Sequence, residues 1–435
     1  MKCVIMAGGK GTRISSVRSD IPKPMIKVGD KPVLEHIINC LGRQGIKDII
    51  ITVGHLRDII MNYFGNGDII SPVTQKNFGV SIKYYQELEP LGNAGALFFL
   101  KHELTEDFLL INADMLFDVD FSRFINYHLT HKALATIFTH PNNHPYDSGL
   151  IIANKYGYVD QWLTKEEERP QYYKNQVNAG LHILSADLIQ GNGCKRKIDL
   201  DRDILRPLAG SGQLSAYKSP EYIQDMGTPE RYRQVCVAWE NGVARKKNLQ
   251  NKQKAVFLDR DGTINRYAGY IKSPDDIQLI EGVAETIKKI NQTEFLVIVV
   301  TNQPVIARGD ITERELAEIH NKIETELGNE GAYINDWFYC PHHPDGGYEG
   351  EVACLKIDCT CRKPKPGMLL AAAEKYNIDL TESWMIGDSK SDILAGKAVN
   401  CKTVLIGKEN FGQDFSLNRF SDFWDIWEPS IRMCR

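Results

Sequence analysis

Two short apolar runs in this chain each end in a glycine-containing loop, and this repeated pattern restricts the fold more than any other feature of the sequence. The first loop is "MAGGKGTRI" (residues 6–14), and the second belongs to "VFLDRDGTIN" (residues 256–265). A strand that enters a glycine turn and is followed by a helical pattern is typical of βαβ units with a mostly parallel sheet. Because 435 residues exceed what one compact core usually holds, we predict two α/β domains in series.

Alternating strand-like and helix-like patterns after each loop support this division. In the first half, strands are predicted at Lys2–Met6, Asp48–Val53, Phe108–Asn112 and Leu134–Thr139, and helices at Val33–Gln44 and Phe121–Thr130. In the second half, strands are predicted at Ala255–Leu258, Phe295–Thr301, Trp337–Tyr339 and Ser383–Ile386, and helices at Gly282–Asn291, Glu313–Leu327 and Met368–Tyr376. The polar stretch "ENGVARKKNLQNKQK" lies between them, so we predict domains at residues 1–240 and 254–435 with a linker at 241–253.

Composition and charge exclude several classes of protein. Hydrophobic residues make up 43% and charged residues 25% of the chain, as in soluble globular proteins. A formal net charge of −4 offers no basic surface for nucleic acid. The longest apolar runs have the length of buried strands and are too short to cross a membrane. We therefore expect a cytoplasmic protein with small-molecule substrates, whose cysteines are thiols or metal ligands; a homo-oligomer is left open.

The first glycine loop has the character of a phosphate-binding turn. Gly8, Gly9 and Gly11 directly follow a strand, where glycine allows backbone N–H groups to approach an anion closely. Arg13 at the loop exit and Lys23 between the prolines of "DIPKPM" would neutralise a polyphosphate. Taken alone, the loop would also suit a tight strand-to-helix turn, and its spacing fits neither the dinucleotide fingerprint nor the Walker loop.

Several ordered motifs resemble the sugar-nucleotide pyrophosphorylases over most of residues 1–235. They are "AGGKGTR", "PKPMIKVGDKPVLEHII", "LGNAGAL", "LLINADMLFDVDF", "VNAGLHIL" and "YIQDMGTPERY". The resemblance implies a Rossmann-like nucleotidyltransferase domain that joins a sugar 1-phosphate to a nucleoside triphosphate and releases pyrophosphate. "RSDIPKPM" and "LGNAGAL" are most similar to the enzymes that activate D-glycero-D-manno-heptose 1-phosphate, usually with GTP.

The same resemblance implies roles for individual residues of the first domain. Arg13 and Lys23 would contact the triphosphate as catalytic groups. Asp114 and Asp225 would bind Mg²⁺, which prefers oxygen ligands. The other implied nucleotide- or sugar-binding residues, besides the three loop glycines, are Gly92, Asn93, Lys165, Asn178 and Gly180. Ala113 stands where the family usually has a glycine before the first aspartate.

The second loop carries two aspartates, Asp259 and Asp261, at the end of a predicted strand. Paired carboxylates can serve as nucleophile and general acid/base, although an isolated D-x-D could equally be a surface turn. Three later motifs, "VVTNQ", "CRKPKPGM" and "MIGDSKSD", complete a pattern that resembles the haloacid-dehalogenase-type (HAD) phosphatases over about residues 254–410. The resemblance implies a Rossmannoid domain in which Asp259 attacks phosphorus and Asp261 protonates the leaving oxygen and then activates water.

The HAD resemblance also implies the contacts of the phosphate and the metal. Thr301, Asn302 and Lys363 would hold the phosphoryl group. The implied Mg²⁺ ligands are Asp259, Asp388 and the backbone carbonyl of Asp261.

A cluster of cysteines and a histidine in the second domain predicts a further metal site. Cys340, His342, Cys359 and Cys361 form a C-x-H…C-x-C set, which matches a closed tetrahedral zinc site that would set Arg362 and Lys363 beside the phosphate. The alternative is a set of unrelated buried cysteines with a surface histidine. Cys354 is a further thiol inside the intervening loop, and the sequence leaves open whether it competes as a ligand.

The zinc-containing pattern resembles phosphatases that act on D-glycero-D-manno-heptose 1,7-bisphosphate or on histidinol phosphate. "GYI" (residues 269–271) and "IARG" (residues 306–309) favour the heptose members, in which Arg308 would contact a substrate phosphate. The two resemblances together predict a bifunctional enzyme that removes the 7-phosphate and then transfers a nucleotidyl group, GMP from GTP, to heptose 1-phosphate. Two alternatives stay open. One is a hexose-1-phosphate nucleotidyltransferase fused to a histidinol-phosphate-like phosphatase, and the other is a phosphatase regulated by a nucleotide-sugar-sensing N-terminal domain.

Overall fold

The computed structural model describes residues 1–9, 20–190, 197–347 and 349–432, with no side chains described for 428–432. The chain forms two compact units. Unit 1 comprises Met1–His140, Ile151–Leu163 and Asn178–Asn248, and unit 2 comprises Pro141–Leu150, Thr164–Val177 and Leu249–Arg435. Both units consist of helices packed on a sheet, so the predicted α/β class is confirmed. Within the described parts of the chain, no helix has the length and apolar character needed to span a membrane.

Among the described residues before residue 249, the chain forms thirteen strands and five α-helices. The strands are β1 (Cys3–Ala7), β2 (Lys27–Val28), β3 (Lys31–Pro32), β4 (Asp48–Val53), β5 (Ser81–Gln86), β6 (Phe108–Asn112), β7 (Met115–Asp118), β8 (Ala135–His140), β9 (Leu150–Ala153), β10 (Val159–Leu163), β11 (Val177–Leu184), β12 (Leu214–Lys218) and β13 (Tyr222–Asp225). The helices are α1 (Val33–Arg43), α2 (Arg57–Phe64), α3 (Phe121–His131), α4 (Pro229–Glu240) and α5 (Val243–Lys246). The six elements predicted in the first half agree with β1, β4, β6, β8, α1 and α3 within one residue at each end.

The large sheet of this region has the order β10-β9-β11-β6-β1-β4-β5; in addition, β8 pairs with β11, and β12 pairs with β8. Strands β6, β1, β4 and β5 are parallel neighbours, as the alternating pattern predicts. Strand β11, in contrast, runs antiparallel to β6 and β9, so the sheet is mixed. A separate antiparallel pair, β7 and β13, brings the residues after β6 next to Asp225.

Strand β1 is buried on both faces, which explains its unbroken apolar sequence. Cys3 and Ile5 lie in one apolar cluster with residues of α1, whereas Val4 lies in a second cluster on the other face. Successive side chains of a strand point to opposite faces, so a strand between two helical layers needs apolar residues at every position. The loop after β1 therefore begins at the carboxyl edge of a fully buried strand.

Six strands and five helices follow. The strands are β14 (Lys254–Leu258), β15 (Phe295–Asn302), β16 (Asp336–Cys340), β17 (Trp384–Gly387), β18 (Lys402–Ile406) and β19 (Phe415–Leu417). The helices are α6 (Val283–Asn291), α7 (Glu313–Asn329), α8 (Gly367–Tyr376), α9 (Lys390–Lys397) and α10 (Phe423–Arg432). All seven elements predicted for this region are present, with ends within two residues of the prediction.

The sheet of unit 2 is parallel throughout, with the order β16-β15-β14-β17-β18-β19. Val256 and Leu258 of β14 face one apolar cluster and Phe257 faces the other. The chain enters the sheet at β14 and builds outward on both sides of it. A parallel sheet of this kind binds ligands at the carboxyl ends of its strands, at the point where the strand order reverses. That point lies beside β14.

The segment predicted as a linker, residues 241–253, contains helix α5 and several buried residues. Val243 and Ala244 are buried, and Asn248 is only 4% exposed. The side-chain amide of Asn248 donates to Asp118 at 2.7 Å. The two compact units divide between Asn248 and Leu249, inside the predicted linker.

Candidate active sites and a candidate metal centre

The predicted phosphatase residues of unit 2 lie where three neighbouring parallel strands end. Asp259 follows β14, Thr301 and Asn302 end β15, and Asp388 follows β17. Because β14 pairs with both β15 and β17, these carboxyl ends share one edge of the sheet. The tertiary fold thus brings together residues that are up to 129 positions apart in the sequence.

Lys363 is the cationic centre of this site. Its ammonium lies 2.9 Å from a carboxylate oxygen of Asp259 and 2.6 Å from one of Asp392, and it also donates to the backbone oxygen of Val300 at 2.7 Å. Asn302 fixes the backbone of Lys363, because its side chain donates to the carbonyl and accepts from the N–H of that residue, both at 3.0 Å. The lysine is therefore held by its backbone and by its charge.

Burial and the neighbouring opposite charges shift the pKa values of Asp259 and Lys363 in opposite directions. Burial raises the pKa of Asp259 to about 7, although the neighbouring ammonium of Lys363 opposes the shift. Burial alone would lower the pKa of Lys363, but the carboxylates of Asp259 and Asp392 outweigh it and raise that pKa to about 12. Burial also raises the pKa of Asp388 to about 6. The cluster has an excess of negative charge, since three carboxylates surround one ammonium.

Oxygen atoms of Asp259, Asp388 and Asp392 lie within 4.8 Å of one another, a spacing that fits a divalent cation. Carboxylate oxygens are the ligands that Mg²⁺ prefers, so the donor set suits the metal. Asp392 is missing from the residues predicted from sequence. It is fully buried and caps helix α9 through Ser389. Its position four residues after Asp388 in "MIGDSKSD" is the signal that could have found it.

Three further residues predicted to act at the phosphatase site, Asp261, Arg308 and Arg362, contact other groups of the protein. The carboxylate of Asp261 accepts from the guanidinium of Arg260 at 2.8 and 3.0 Å. Arg308 lies 3.4 Å from Asp310 and stacks over the ring of Tyr270 at 4.4 Å. Arg362 donates to the backbone oxygen of His342 at 3.4 Å. Its predicted role beside the phosphate stays a prediction.

The predicted C-x-H…C-x-C residues form one compact cluster. The sulfur atoms of Cys340, Cys359 and Cys361 are 3.3 to 3.5 Å apart, and Nδ1 of His342 is 3.3 Å from the sulfur of Cys361. All four ligand atoms lie within 4.8 Å of one another, so these residues could hold a metal ion. Three thiols and one imidazole match the donor set of a closed tetrahedral site. Cys354 is exposed and lies outside this cluster.

In unit 1, the start of the glycine loop is tightly packed. A side chain at Gly8 would meet the carboxylate of Glu87 at 2.5 Å, and one at Gly54 would meet the backbone oxygen of Gly8 at 2.7 Å. Apart from its two chain neighbours, no described residue lies within 4 Å of the position that a Cβ atom on Gly9 would take. Gly11 and Arg13, two further predicted nucleotide contacts, lie outside the described residues.

Lys23 and the two predicted magnesium ligands of unit 1 lie in one region. The ammonium of Lys23 is 2.5 Å from the carboxylate of Asp114, in the turn between β6 and β7. Asp225 ends β13 and pairs with Met115, the next residue after Asp114. Its carboxylate accepts from Arg231 at 3.2 Å. The β7–β13 pair therefore positions both aspartates.

The loop of residues 91–95 packs against the segment that precedes residue 200. Gly92 has φ of +81°, and a side chain there would meet the backbone oxygen of Ile198 at 2.3 Å. The side-chain oxygen of Asn93 accepts from the N–H of Leu200 at 2.7 Å. The structure thus gives Asn93 a role in holding this segment, and its predicted nucleotide contact stays a prediction.

Asn178 is held in one orientation on β11. Its side-chain oxygen lies 3.1 Å from the N–H of Gly180 and 3.1 Å from Nε2 of His182. The amide nitrogen consequently faces Asp201, at 3.5 Å. Burial, followed by the nearby charge of Asp199, raises the pKa of Asp201 to about 6. Asp201 belongs to none of the sequence motifs, and only the fold places it beside Asn178.

Lys165, aligned by resemblance with a sugar-nucleotide site, belongs to the segment Thr164–Val177 of unit 2. There its ammonium lies 3.4 Å from the carboxylate of Asp147, and both side chains are about half exposed. The structure therefore gives Lys165 an acidic partner within unit 2, and its sugar contact stays a prediction.

Comparison with known proteins gives matches for both regions. The family model described as nucleotidyl transferase matches residues 2–242, and the one described as HAD-hydrolase-like matches residues 360–417. The D-glycero-beta-D-manno-heptose-1,7-bisphosphate 7-phosphatase of Pasteurella multocida is 41% identical over 156 residues, 36% of this chain and 82% of that protein. The phosphatase of the same name from Escherichia coli K12 is 39% identical over 152 residues, 35% of this chain and 78% of that protein. The crystal structure of HddC from Yersinia pseudotuberculosis is 26% identical and covers 55% of this chain and 99% of its own, with a TM-score of 0.46.

Proposed function

The chain belongs to the nucleotidyl transferase family and, through its C-terminal region, to the family of D-glycero-beta-D-manno-heptose-1,7-bisphosphate 7-phosphatases, and from this premise we propose that it performs two steps of nucleotide-activated heptose synthesis. Unit 2 removes the 7-phosphate of D-glycero-D-manno-heptose 1,7-bisphosphate. The nucleotidyl transferase region then transfers GMP from GTP to heptose 1-phosphate and releases pyrophosphate. The product of the first step is the acceptor of the second.

The observation that carries the phosphatase proposal is the cluster of Asp259, Lys363, Asp388 and Asp392 at one sheet edge. Asp259 attacks the phosphorus, and Lys363 holds a phosphoryl oxygen. Asp261 gives a proton to the leaving sugar oxygen and afterwards takes one from the attacking water. A Mg²⁺ ion held by the carboxylates would neutralise the charge of the phosphoryl oxygens.

For nucleotidyl transfer, the chain supplies positioning and charge. The sugar phosphate oxygen attacks the α-phosphorus and pyrophosphate leaves, so little covalent chemistry is required of the protein. Lys23 contacts the triphosphate beside the backbone of Gly8 and Gly9. Asp114 and Asp225 would hold Mg²⁺, which neutralises charge on the phosphates; the ammonium of Lys23 at 2.5 Å from Asp114 balances that carboxylate without the ion.

The cysteine and histidine cluster is proposed to hold a structural Zn²⁺ ion. It ties the end of β16 to the segment that enters Arg362 and Lys363, because Cys340 belongs to the strand and Cys361 precedes Arg362. The ion would order this loop and leave the phosphate chemistry to the aspartates.

One experiment tests both activities on the full chain. Purified protein with Mg²⁺ is expected to release one phosphate from heptose 1,7-bisphosphate. Then heptose 1-phosphate and mannose 1-phosphate are each incubated with the four nucleoside triphosphates, and pyrophosphate is measured. We expect the highest rate with heptose 1-phosphate and GTP. Faster transfer to mannose 1-phosphate, or phosphate release without any pyrophosphate, would contradict the proposed pair of steps.

A further inference from the structure

Four N–H groups from three side chains converge on the carboxylate of Asp261. Arg260 donates to both oxygens, from Nε at 3.0 Å and from Nη2 at 2.8 Å. Asn265 donates to one oxygen at 3.0 Å, and Gln303 donates to the other at 3.1 Å. An ionised carboxylate has about four acceptor sites, so these donors match the ionised form of Asp261, the form that takes a proton from water. When either oxygen carries a proton, one of the four donors is displaced. Such a set fixes both the plane and the direction of the group.

We infer that Arg260, with Asn265 and Gln303, is a positioning residue that orients Asp261 for proton transfer to the leaving sugar oxygen. The inference rests on the proposed phosphatase function. In that step, Asp259 forms a bond to phosphorus while the bond from phosphorus to the sugar oxygen breaks, and the proton of Asp261 passes to that oxygen. When water then attacks the phosphorylated Asp259, its proton passes to Asp261 and the aspartyl–phosphorus bond breaks.

The residues around Arg260 hold its guanidinium in one orientation. The side chain is 1% exposed, so its guanidinium is held by protein on all sides. Its Nη1 lies 3.5 Å from Nε2 of His320, whose ring stacks on Trp337 with centroids 4.1 Å apart and planes at 16°. Burial, followed by the charges of Arg260 and Lys174, lowers the pKa of His320 well below its ordinary value, so its ring stays neutral and can accept from Arg260. A planar guanidinium held in this way gives a carboxylate a fixed two-point contact that an ammonium cannot reproduce.

Gln303 connects Asp261 to the phosphate-binding end of β15. The same amide nitrogen that donates to Asp261 also donates to the hydroxyl of Thr301, at 2.9 Å. The side chain is only 2% exposed. The acid/base group and a proposed phosphate contact are therefore linked through one rigid amide.

The test uses the dependence of the rate on the leaving group. Full-length protein in excess over substrate is mixed with heptose 1,7-bisphosphate or with p-nitrophenyl phosphate, and release of the alcohol or phenol is followed in a single turnover. A sugar alkoxide needs a proton from Asp261 to leave, whereas p-nitrophenolate leaves without one. The variants are Arg260→Lys and Gln303→Met, and the matched control is Gln253→Met. Gln253 is a buried glutamine of the same unit that lies at the opposite end of β14 from Arg260, and its side chain donates to the backbone oxygen of Asn251.

We expect Arg260→Lys to slow release of the sugar by about 10²-fold and release of p-nitrophenol by less than about fivefold, since general acid catalysis contributes on that scale. Gln303→Met should change the ratio of the two rates in the same direction, and Gln253→Met should leave the ratio unchanged even if it lowers stability. An equal loss with both substrates in Arg260→Lys and Gln303→Met would overturn the positioning role. Wild-type protein that releases neither product would instead refute the phosphatase function itself.

Discussion

At the scale of single residues, the phosphatase site is governed by one buried ammonium and the carboxylates around it. Lys363 is 3% exposed and Asp392 is fully buried, and their charged atoms are 2.6 Å apart. Burying a charge costs free energy unless an opposite charge compensates it. Removing one partner of a buried ion pair therefore destabilises the folded protein, because the other charge stays buried without compensation. Asp259 contacts the same ammonium, so a change at Asp392 also alters the electrostatic surroundings of Asp259.

We predict that Asp392→Asn destabilises unit 2 and reduces phosphatase activity. The substitution keeps the size of the side chain but leaves Lys363 with one carboxylate partner fewer, at a cost of about 3 kcal/mol. Denaturant unfolding measures the loss. Asp422→Asn, which removes a partner of the exposed Arg419, is the control and should change the free energy of unfolding by less than about 1 kcal/mol. Equal effects of the two substitutions would contradict the prediction.

Asp259→Asn should abolish phosphate release from heptose bisphosphate and spare nucleotidyl transfer to pre-formed heptose 1-phosphate. The amide cannot attack phosphorus, and Asp259 lies in unit 2 while Lys23, Asp114 and Asp225 lie in unit 1. Phosphate and pyrophosphate assays on the same preparation check this. Loss of both activities in a folded variant would show that the two reactions do not use independent residues.

Asp225→Ala should have the opposite effect, loss of pyrophosphate release with phosphate release retained. Its carboxylate is the partner of Arg231 and the proposed ligand for the metal that positions the triphosphate. Asp160→Ala, an exposed aspartate of the same unit, is the control. Transfer close to the wild-type rate in Asp225→Ala would show that this aspartate has no part in the reaction.

At the scale of structural elements, residues that are far apart in the chain lie close together because strands end at a common edge. Asp259 and Asp388 follow β14 and β17, Thr301 lies at the end of β15, and these three strands are neighbours in the sheet. The described residues between β16 and α8 form one short 3₁₀ turn, Ala353–Leu355. Cys340, His342, Cys359 and Cys361 place the two ends of this segment within reach of one metal ion. We therefore expect a metal bound there to affect the position of Lys363, because the lysine follows Cys361 by two residues.

Cys359→Ser is therefore predicted to lower the zinc content, the thermal stability of unit 2 and the phosphatase activity, with little effect on pyrophosphate release. A serine hydroxyl is a poor zinc ligand, and a freed loop would misplace Lys363. Metal analysis and thermal unfolding provide the measurements. Cys354→Ser, in the same loop but outside the cluster, should behave as wild type. Full activity in protein without zinc would refute the structural role.

At the scale of the whole molecule, the polar stretch at residues 240–254 contains only one of the boundaries between the two compact units. Unit 2 includes Pro141–Leu150 and Thr164–Val177, which precede the polar stretch by many residues. Within unit 2, the N–H of Asn175 donates to Glu324 at 2.6 Å and that of Tyr173 donates to Thr325 at 2.9 Å. These hydrogen bonds satisfy buried polar groups. In an exposed loop, water would bind the same groups.

A fragment of residues 1–248 is predicted to be more stable than one of residues 1–240. The shorter fragment loses α5 and also the hydrogen bond from Asn248 to the buried Asp118. Losing this hydrogen bond costs about 1–3 kcal/mol of stability. Denaturant unfolding of both fragments measures the difference. Asn248→Ala in the longer fragment should lose most of the contribution of that bond. Equal stability of the two fragments would place the boundary at residue 240.

The sequence by itself determined the elements, the fold class and most of the candidate chemistry. Apolar runs of strand length, glycine loops and motif order are local properties, and β4 and β6 have the bounds that were predicted from them. The C-x-H…C-x-C set was found in the same way, because its spacing is visible along the chain.

Only the tertiary structure decided which side chains meet. The antiparallel β11, the bond of Asn93 to Leu200, and the place of Asp201 beside Asn178 all depend on pairing between distant segments. Asp392 belongs to this group as well, since its role arises from the ammonium of Lys363. The physical reason is that periodicity reports what one segment buries, whereas contacts between segments depend on the closure of long loops, which leaves no local pattern.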